Sequence, residues 1–597
     1  MVGVRHTDPE SLLEGLDESQ RRAVVATSGP VRIIAGAGAG KTRTITRRIA
    51  YACALGVWNP AHTLAVTFST RAAQEMRSRL DALGAGAVKA RTFHSAALSQ
   101  LHLVWDSVTT DEFPQIFAHS PHALAEAVRV VMNRTDLDKV AAQDLDSEIG
   151  WAKVSLIAPE DYPAVCKATG RVPPAGLEPQ AFAELAAEYE RQKAAANRMD
   201  FNDILLLVCH IIERFPRQAR RIRGGIDCIT VDEYQDVSPL QHRLLRLWLG
   251  DISEVCVVGD AAQTIYSFAG ATSYYLRDFA REFAPVHSDI VLDRDYRSTP
   301  QIVRYANRVL AASPRRADYL ELTSARQDGQ AIRPVAYADD IKEAQGIAHR
   351  IARLQAHGVP LGDIGVLTRT NAQLRPIAKA LKERGIAASL RQVPDELSAS
   401  DEREARMEAY RDSNESWEAG EVPYAEQPDG MGSAPGDAFP EPTAGSAIQG
   451  SAAQGAAAQE AVAPTVPMVA AAPTAAAAQQ RMIEQEKTLR QLARLQERRE
   501  QGGTAVPAAN PQRGVSLCTI HAAKGLEWKY VFVAGCADGL IPYGSPRDEE
   551  ELEEERRLMY VAVTRAQDAL FPSYPRMNSG ASGFSRERAI SPFLRGK

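Results

Sequence analysis

The chain has no pair of cysteines at metal-binding spacing. Its seven cysteines (Cys53, Cys166, Cys209, Cys228, Cys256, Cys518 and Cys536) are scattered through 597 residues without a CxxC, and five of them stand in apolar runs. That argues against a zinc site or a disulfide framework and fits a reducing compartment. No stretch approaches the roughly 18 consecutive apolar residues of a membrane span. The opening MVGVRHTDPESLLEGLDESQ has no apolar signal core, so a soluble, cytoplasmic protein away from the membrane is expected. A positive balance is missing too. With 69 Lys and Arg against 75 Asp and Glu, the net charge is −6 and the pI about 6.1. Such a chain does not coat nucleic acid through its overall field, so any binding of that kind must come from a local basic groove.

The length allows three or four domains of about 100 to 200 residues, and 45% hydrophobic residues supply their cores. Apolar, β-branched runs recur between helical patterns at 31–35, 63–68, 226–231, 254–258, 290–292, 364–368, 515–520 and 530–534. Strands alternating with helices predict parallel sheets covered on both faces, and the two groups of runs predict two α/β domains divided near residue 285. Residues 105–199 read as a helical insertion in the first domain, with helices over 121–133 and 178–196. From about residue 394 the composition shifts, and 413–480 is dominated by Ala, Gly, Pro, Ser and Gln. Such a segment buries too little apolar surface to offset chain entropy, so disorder is expected there. Residues 479–501 read as a charged helix whose thin stripe of Met482, Leu489, Leu492 and Leu495 suits a solvated or lightly docked helix better than a coiled coil.

Two motifs carry chemistry. The run at 31–35 leads into Gly36-Ala37-Gly38-Ala39-Gly40-Lys41-Thr42 and then a helical pattern, the strand–loop–helix setting of a phosphate-binding loop. Small residues expose backbone N–H groups to phosphate, Lys41 would neutralise the β/γ oxygens, and Thr42 would ligate Mg2+. The pattern GxxxxGK(S/T) fails at one place, because Ala35 stands where its first glycine belongs. Some 190 residues on, VDEYQD (Val231 to Asp236) delivers Asp232 and Glu233 to the carboxyl end of a strand, where ligands of α/β sheets bind. Asp232 would hold the metal and Glu233 would orient and deprotonate the attacking water. Together they point to an ATP- and Mg2+-dependent hydrolase.

An ordered series of motifs joins these two. It comprises Leu16 to Gln20, Thr67 to Ala73, Thr92 to Ser95, Asp200 to Asp203, Val258 to Tyr266, Tyr296 to Ser298, Thr519 to Glu527 and Glu555 to Ala566. On these residues the chain resembles the superfamily 1A DNA helicases, the UvrD, Rep and PcrA group, over residues 10 to about 393 and 512 to 574. The resemblance implies two RecA-like P-loop domains: 1A at 1–104 and 200–285, and 2A at 286–393 and 512–574. It implies a helical domain 1B at 105–199, while composition alone gives the low-complexity linker and charged helix at 394–511 and the basic tail at 575–597. It further implies that Gln20 reads the adenine edge, that Arg43 and Tyr296 sandwich the ring, and that Glu527 contacts the ribose. Gln263 would sense the γ-phosphate, Arg297 and Arg565 would be arginine fingers, and Lys524 would approach the phosphates. Tyr296 and Tyr560 also read as core aromatics, and Arg556 as a surface charge.

For the nucleic acid, the resemblance implies base contacts from Phe68, Tyr266 and Phe268, and backbone contacts from Thr92, His94, Ser95, Arg369, Asn371 and His521. Phe68 and Phe268 can equally be core residues. Phe268-Ala269-Gly270-Ala271 departs from the usual Trp-Arg-Gly-Ala, which puts the coupling of DNA to hydrolysis in question. The 394–511 segment is too short and too polar to form the helical 2B domain found in typical members. The expected activity is therefore a 3′ to 5′ DNA helicase and translocase on single strands and duplex junctions, serving repair or replication. The alternative is a DNA-stimulated ATPase that unwinds weakly. The linker offers a site for protein partners, the oligomeric state stays open, and no nuclease motif is present.

Overall fold

The computed structural model describes residues 8–117, 120–135, 137–391, 514–546, 548–577 and 587–595. The disorder expected at 413–480 and the charged helix expected at 479–501 lie outside these residues.

Two six-stranded sheets organise the fold. The first runs, in spatial order, Lys89–Thr92, Thr63–Thr67, Cys228–Val231, Val255–Gly259, Val31–Ala35 and Ser288–Leu292, and every pairing is parallel. The second runs Val335–Asp339, Ala566–Met577, Trp528–Val533, Ile364–Thr368, Val515–Thr519 and Ala388–Arg391, again all parallel. Parallel pairing brings every strand's carboxyl end to one edge of its sheet, which is where each sheet can present functional loops.

Alternate residues of the strands face different cores, as a sheet covered on both sides requires. Leu64, Val66, Val255 and Val257 pack with the helices Phe93–Val104, Phe201–Arg214 and Pro239–Leu249. Ala65, Cys256 and Val258 pack on the other face with Lys41–Ala54. In the second sheet Leu367, Cys518 and Val531 meet the helices Pro300–Ala311 and Glu549–Val563, while Val366, Leu517 and Phe532 meet Asp340–Ala356 and Asn371–Glu383.

The division expected at residue 285 falls too early for the first sheet. Ser288–Leu292 pairs with Val31–Ala35 and forms its edge, so that sheet runs on to Leu292. Four strands of the two six-stranded sheets escaped the sequence pattern: Lys89–Thr92, Val335–Asp339, Ala388–Arg391 and Ala566–Met577. Three of them are edge strands, which need little apolar surface, and the fourth contains Pro572 and Pro575, residues that argue against a central strand. The insertion is helical as expected, with Pro121–Met132, Lys139–Val154, Tyr162–Thr169 and Pro179–Ala195 around a core of its own. Asn133 ends the first of these in the left-handed region (φ 52°), a conformation asparagine tolerates well. Within the described part of the C-terminal tail, Phe593 and Leu594 are buried in the second sheet's core, and Arg556 lies over the Phe593 ring at 4.9 Å. All seven cysteines are free and six are buried.

Candidate nucleotide site and adjoining groove

The glycine loop is shaped by what presses on it. Gly38 (φ +73°) and Gly40 (φ +81°) adopt left-handed conformations. A Cβ on Gly38 would lie 2.0 Å from Asp295 Oδ1, and one on Gly40 would lie 2.9 Å from Gln20 Nε2. Gly36 and Ala37 precede this turn and Ala39 lies inside it, its carbonyl accepting from Gln20 Nε2 at 3.0 Å. Gln20 Oε1 accepts from Asp17 N (3.3 Å), and Gln20 N donates to Asp17 Oδ1 (2.7 Å), a capping box that starts the helix Glu18–Val25. The residue expected to read adenine thus joins the first helix to the loop, with both ends of its amide engaged. Lys41 and Thr42 open the helix Lys41–Ala54, and Lys41 Nζ donates to Ala35 O at 3.3 Å.

Cys228–Val231 carries the acidic motif to the same sheet edge. Asp232 N donates to Val66 O (2.8 Å), and Asp232 Oδ1 accepts from Glu233 N (2.9 Å). Glu233 sits at φ 53°, ψ 39°, a strained position for a residue with a Cβ. Gln235 secures it: its Nε2 donates to Glu233 Oε2, and its Oε1 accepts from Asp260 N at 3.0 Å. Burial and the adjacent Glu233 charge push Asp232 up from the usual carboxylate range. Burial acts the same way on Glu233, but the Lys41 and Lys524 ammoniums outweigh it and hold Glu233 down. Burial also pushes Asp236 up to about 6, and Asp236 Oδ1 is buried without a partner. This excess of buried negative charge, made of hard oxygen donors at the same sheet edge as the glycine loop, fits a Mg2+ ion.

The second sheet's elements reach this edge directly. Arg565 is buried, and its Nη2 donates to Gln263 Oε1 at 3.2 Å. Gln263 Nε2 in turn donates to Asp260 Oδ2 at 2.8 Å. Burial and the neighbouring Arg297 lower Arg565 to about 10. Arg297 forms an ion pair with Glu527 and donates through Nη1 to Thr564 O at 3.3 Å. Two guanidiniums that repel each other near an acidic strand end leave room for an anionic, metal-bound ligand. Lys524 pairs with Asp236 and donates to Gln263 O at 2.6 Å. Tyr296 is 41% exposed, with its N bonded to Gly38 O (3.0 Å) and its hydroxyl to Asp17, so its ring is not a core aromatic. Arg43 donates to Gly15 O (3.1 Å), and the cation over the Tyr296 ring is Arg294, at 5.6 Å. Tyr560 is buried, and its hydroxyl reaches Asp260 Oδ2 at 3.5 Å. Arg556 is buried as well, paired with Glu553 at 2.7 Å, rather than a surface charge.

Beyond this site lie two adjoining cavities that share Tyr266 and Phe268. One, of about 630 Å³, is lined by Arg369, Asn371 and His521; the other, of about 390 Å³, is lined by Phe68 and His94. Seven of the nine residues expected to meet DNA therefore border one groove that crosses from the first sheet to the second. Phe268 is 65% exposed and stands edge-on to His521 (5.7 Å) and Tyr266 (6.1 Å). Burial lowers His94 to about 4, and its Nε2 is buried without a partner. His521 is lowered to about 4 by burial and by Arg369 and Lys524, so it too is neutral at pH 7. Arg369 is tied to Glu555 through Nε (2.8 Å) and Nη2 (2.7 Å). Thr92 and Ser95 are the exceptions. Both are buried, and Thr92 Oγ1 accepts from Ser95 N (3.1 Å) while Ser95 Oγ accepts from Thr92 N (3.0 Å). Both hydroxyls cap the helix Phe93–Val104 instead of facing the groove.

Sequence reasoning missed three residues. Asp295 accepts from Arg297 N (2.6 Å) and Ser298 N (3.0 Å) and presses on Gly38, joining the two sheets at the loop. Gln235 was visible inside VDEYQD, but its bridging role depends on Asp260, 25 residues away. Tyr543, 54% exposed, lines the groove with Arg369 5.3 Å over its ring, and nothing in its local sequence marks it.

Comparison with known proteins agrees with this arrangement. The UvrD/REP helicase N-terminal domain matches residues 16–284, and the UvrD-like helicase C-terminal domain matches residues 290–393 and 476–577. The second match resumes at 476, ahead of the expected return to the α/β domain at 512. The chain is 39% identical to the ATP-dependent DNA helicase UvrD2 of Mycobacterium tuberculosis, over 99% of this chain and 82% of that protein. It is 31% identical to UvrD1 of the same organism (94% and 82%) and 27% identical to PcrA of Bacillus subtilis (95% and 84%). With both domains matched in order around a buried acidic strand end, this chain belongs to the UvrD/REP helicase family.

Proposed function

We propose that this protein is an ATP-dependent DNA helicase that translocates 3′ to 5′ on single-stranded DNA in repair or replication. The observation that carries the reading is the unbroken chain of bonds from the acidic motif to the groove. Glu233 is held by Gln235, Gln235 by Asp260, Asp260 by Gln263, and Gln263 by both Arg565 and Lys524. Tyr266, three residues after Gln263, lines the groove, and its hydroxyl donates to His521 O at 3.1 Å. A change in phosphate state at one end thus has a short covalent and hydrogen-bonded path to the DNA side, and the path crosses between sheets.

In the catalytic step the glycine loop and Lys41 hold the phosphates of ATP, and Gln20 and Tyr296 border the space for its base. Thr42 and Asp232 would hold Mg2+, which supplies charge neutralisation at the β- and γ-phosphate oxygens. Glu233, kept ionised by Lys41 and Lys524, accepts a hydrogen bond and then the proton from the attacking water. Arg297 and Arg565 exchange Glu527 and Gln263 for the developing phosphate charge. Hydrolysis leaves that charge on ADP and inorganic phosphate, and departure of the phosphate releases both arginines.

Strand displacement tests the reading. Duplexes with a 3′ tail are expected to be unwound with ATP and Mg2+, and duplexes with a 5′ tail are not; the reverse preference would overturn the polarity. A second reading, a translocase that unwinds weakly, is favoured by the alanine- and proline-rich composition of 413–480, which we read as standing where typical members carry a 2B domain. Robust single-strand-stimulated hydrolysis without displacement would select it.

Phe268→Ala removes the most exposed ring of the groove. Stacking on an aromatic contributes about 1 to 3 kcal/mol per base, so single-strand affinity should fall roughly five- to a hundredfold while hydrolysis without DNA stays near its original rate. Equal losses in both assays would count against a stacking role.

A further inference from the structure

The helix Pro216–Arg223 holds Arg217, Arg220, Arg221 and Arg223 in eight residues, and Arg214 ends the helix before it. Ala219 and Ile222 are its buried positions. At about 100° per residue, Arg217, Arg220 and Arg221 fall on the opposite face, and these three and Arg214 are exposed. Arg223 is used internally, donating to Leu247 O at 2.8 Å. Among the described residues none of the four exposed arginines has a carboxylate partner, and the nearby Glu213 is taken by Arg243 at 2.7 Å. The exposed Lys89 adds its ammonium beside Gly225, at the end of the same helix. Like charges at helical spacing repel one another, so this cluster costs stability unless an anion covers it. In a chain of net charge −6 it is a local exception.

Two helices fix where this surface lies. Phe93–Val104 starts at the groove, where His94 lines the wall, and leads to Ser107, whose carbonyl accepts from Gln218 Nε2 at 3.0 Å. Phe201–Arg214 also starts at the groove, with Phe201 and Asn202, and ends at Arg214. At 1.5 Å per residue these helices are about 18 and 21 Å long, so the arginine face stands roughly that far from the single-strand path.

We propose that this face holds the phosphate backbone of the duplex part of a tailed DNA while the single strand lies in the groove. The inference rests on the reading of the groove given above and adds a second contact surface to it. Guanidiniums three and four residues apart on a helix lie about 5 to 6 Å from one another at their Cβ atoms, and they face a polyanion carrying one charge per roughly 1.7 Å of duplex. The face has no aromatic or aliphatic anchor of the kind that dominates protein partners. Its chemistry is that of contacting a backbone, not of reading bases or docking a hydrophobic surface.

The test is the triple variant Arg217→Gln, Arg220→Gln and Arg221→Gln, whose side chains are all exposed. Binding would be measured across a salt series with a 3′-tailed duplex and with the tail oligonucleotide alone. Losing three contacts should flatten the slope of log affinity against log salt by about 2.7 on the tailed duplex. Binding of the tail alone and single-strand-stimulated hydrolysis should not change, and the corresponding triple lysine variant should keep the original slope. An unchanged slope on the tailed duplex, or an equal loss on both DNAs, would overturn the proposal. So would loss of polyglutamate binding with DNA binding intact, which would assign the face to an acidic protein. Failure of the unaltered protein to bind the tail alone would overturn the reading of the groove, and this inference with it.

Discussion

Glu233→Gln is expected to lower ATP turnover by at least about 10³-fold while leaving nucleotide binding nearly intact. The side chain keeps its size and one hydrogen-bonding oxygen, but it can no longer take a proton from water, and general-base catalysis contributes about 10² to 10⁴ in rate. The surroundings show why an ionised carboxylate is required there. Lys41 and Lys524 hold Glu233 in its charged form against burial, while Asp232 beside it is pushed toward protonation. Gln235 and the backbone N–H to Asp232 keep Glu233 in its left-handed conformation, so the amide should occupy the same place. Lys41→Ala should abolish turnover for a different reason, by removing the cation beside the phosphates, and it should weaken nucleotide binding as well. Single-turnover hydrolysis paired with equilibrium nucleotide binding separates the two. Near-normal turnover in either variant would sink the assignment of this site.

The second large effect is expected at Arg565. Arg565→Lys should reduce turnover by about 10³-fold, roughly 4 kcal/mol of transition-state stabilisation, within the range an arginine finger supplies. Lysine keeps the charge but loses the planar fork that can bind two oxygens at once. The conservative change matters because Arg565 also donates to Val561 O (3.1 Å) and Leu526 O (3.3 Å). Arg565→Ala would leave Val561 O with only the Thr564 hydroxyl (3.1 Å) and would strip the guanidinium from Leu526 O, at a cost of about 1 to 3 kcal/mol for a group left unpaired. Thermal melting of the lysine variant should stay close to that of the parent, and nucleotide binding should change far less than turnover. A fall in melting temperature that accounts for the lost activity would assign Arg565 a structural task only.

Legibility in the sequence followed the range of the interactions. The glycine loop, VDEYQD and the central strands were readable because each depends on neighbours within a few residues: small side chains at a turn, apolar residues at period two, carboxylates at a strand end. Edge strands such as Lys89–Thr92 and Val335–Asp339 were not, since they are short, mix polar with apolar residues and have only one neighbouring strand. Thr92 shows the opposite error. A hydroxyl at a strand end suits a phosphate contact, yet Ser95 three residues later makes it a capping residue, and the local pair decides. The strand Ser288–Leu292 was recognised as a strand and given to the wrong sheet, because pairing with Val31–Ala35 spans more than 250 residues.

Residue order alone therefore dictated the fold class and the family, and it supplied the residue types proposed as phosphate and metal ligands. The reason is that backbone conformation and carboxylate placement are local matters. The two sheets meeting at one cleft, the repelling Arg297 and Arg565 near the acidic strand end, and the groove joining Phe68 to His521 were decided only by tertiary packing. So was the arginine face some 20 Å away. Burial and charge act through space, and they set which groups are ionised, which are already engaged and which remain free for a ligand.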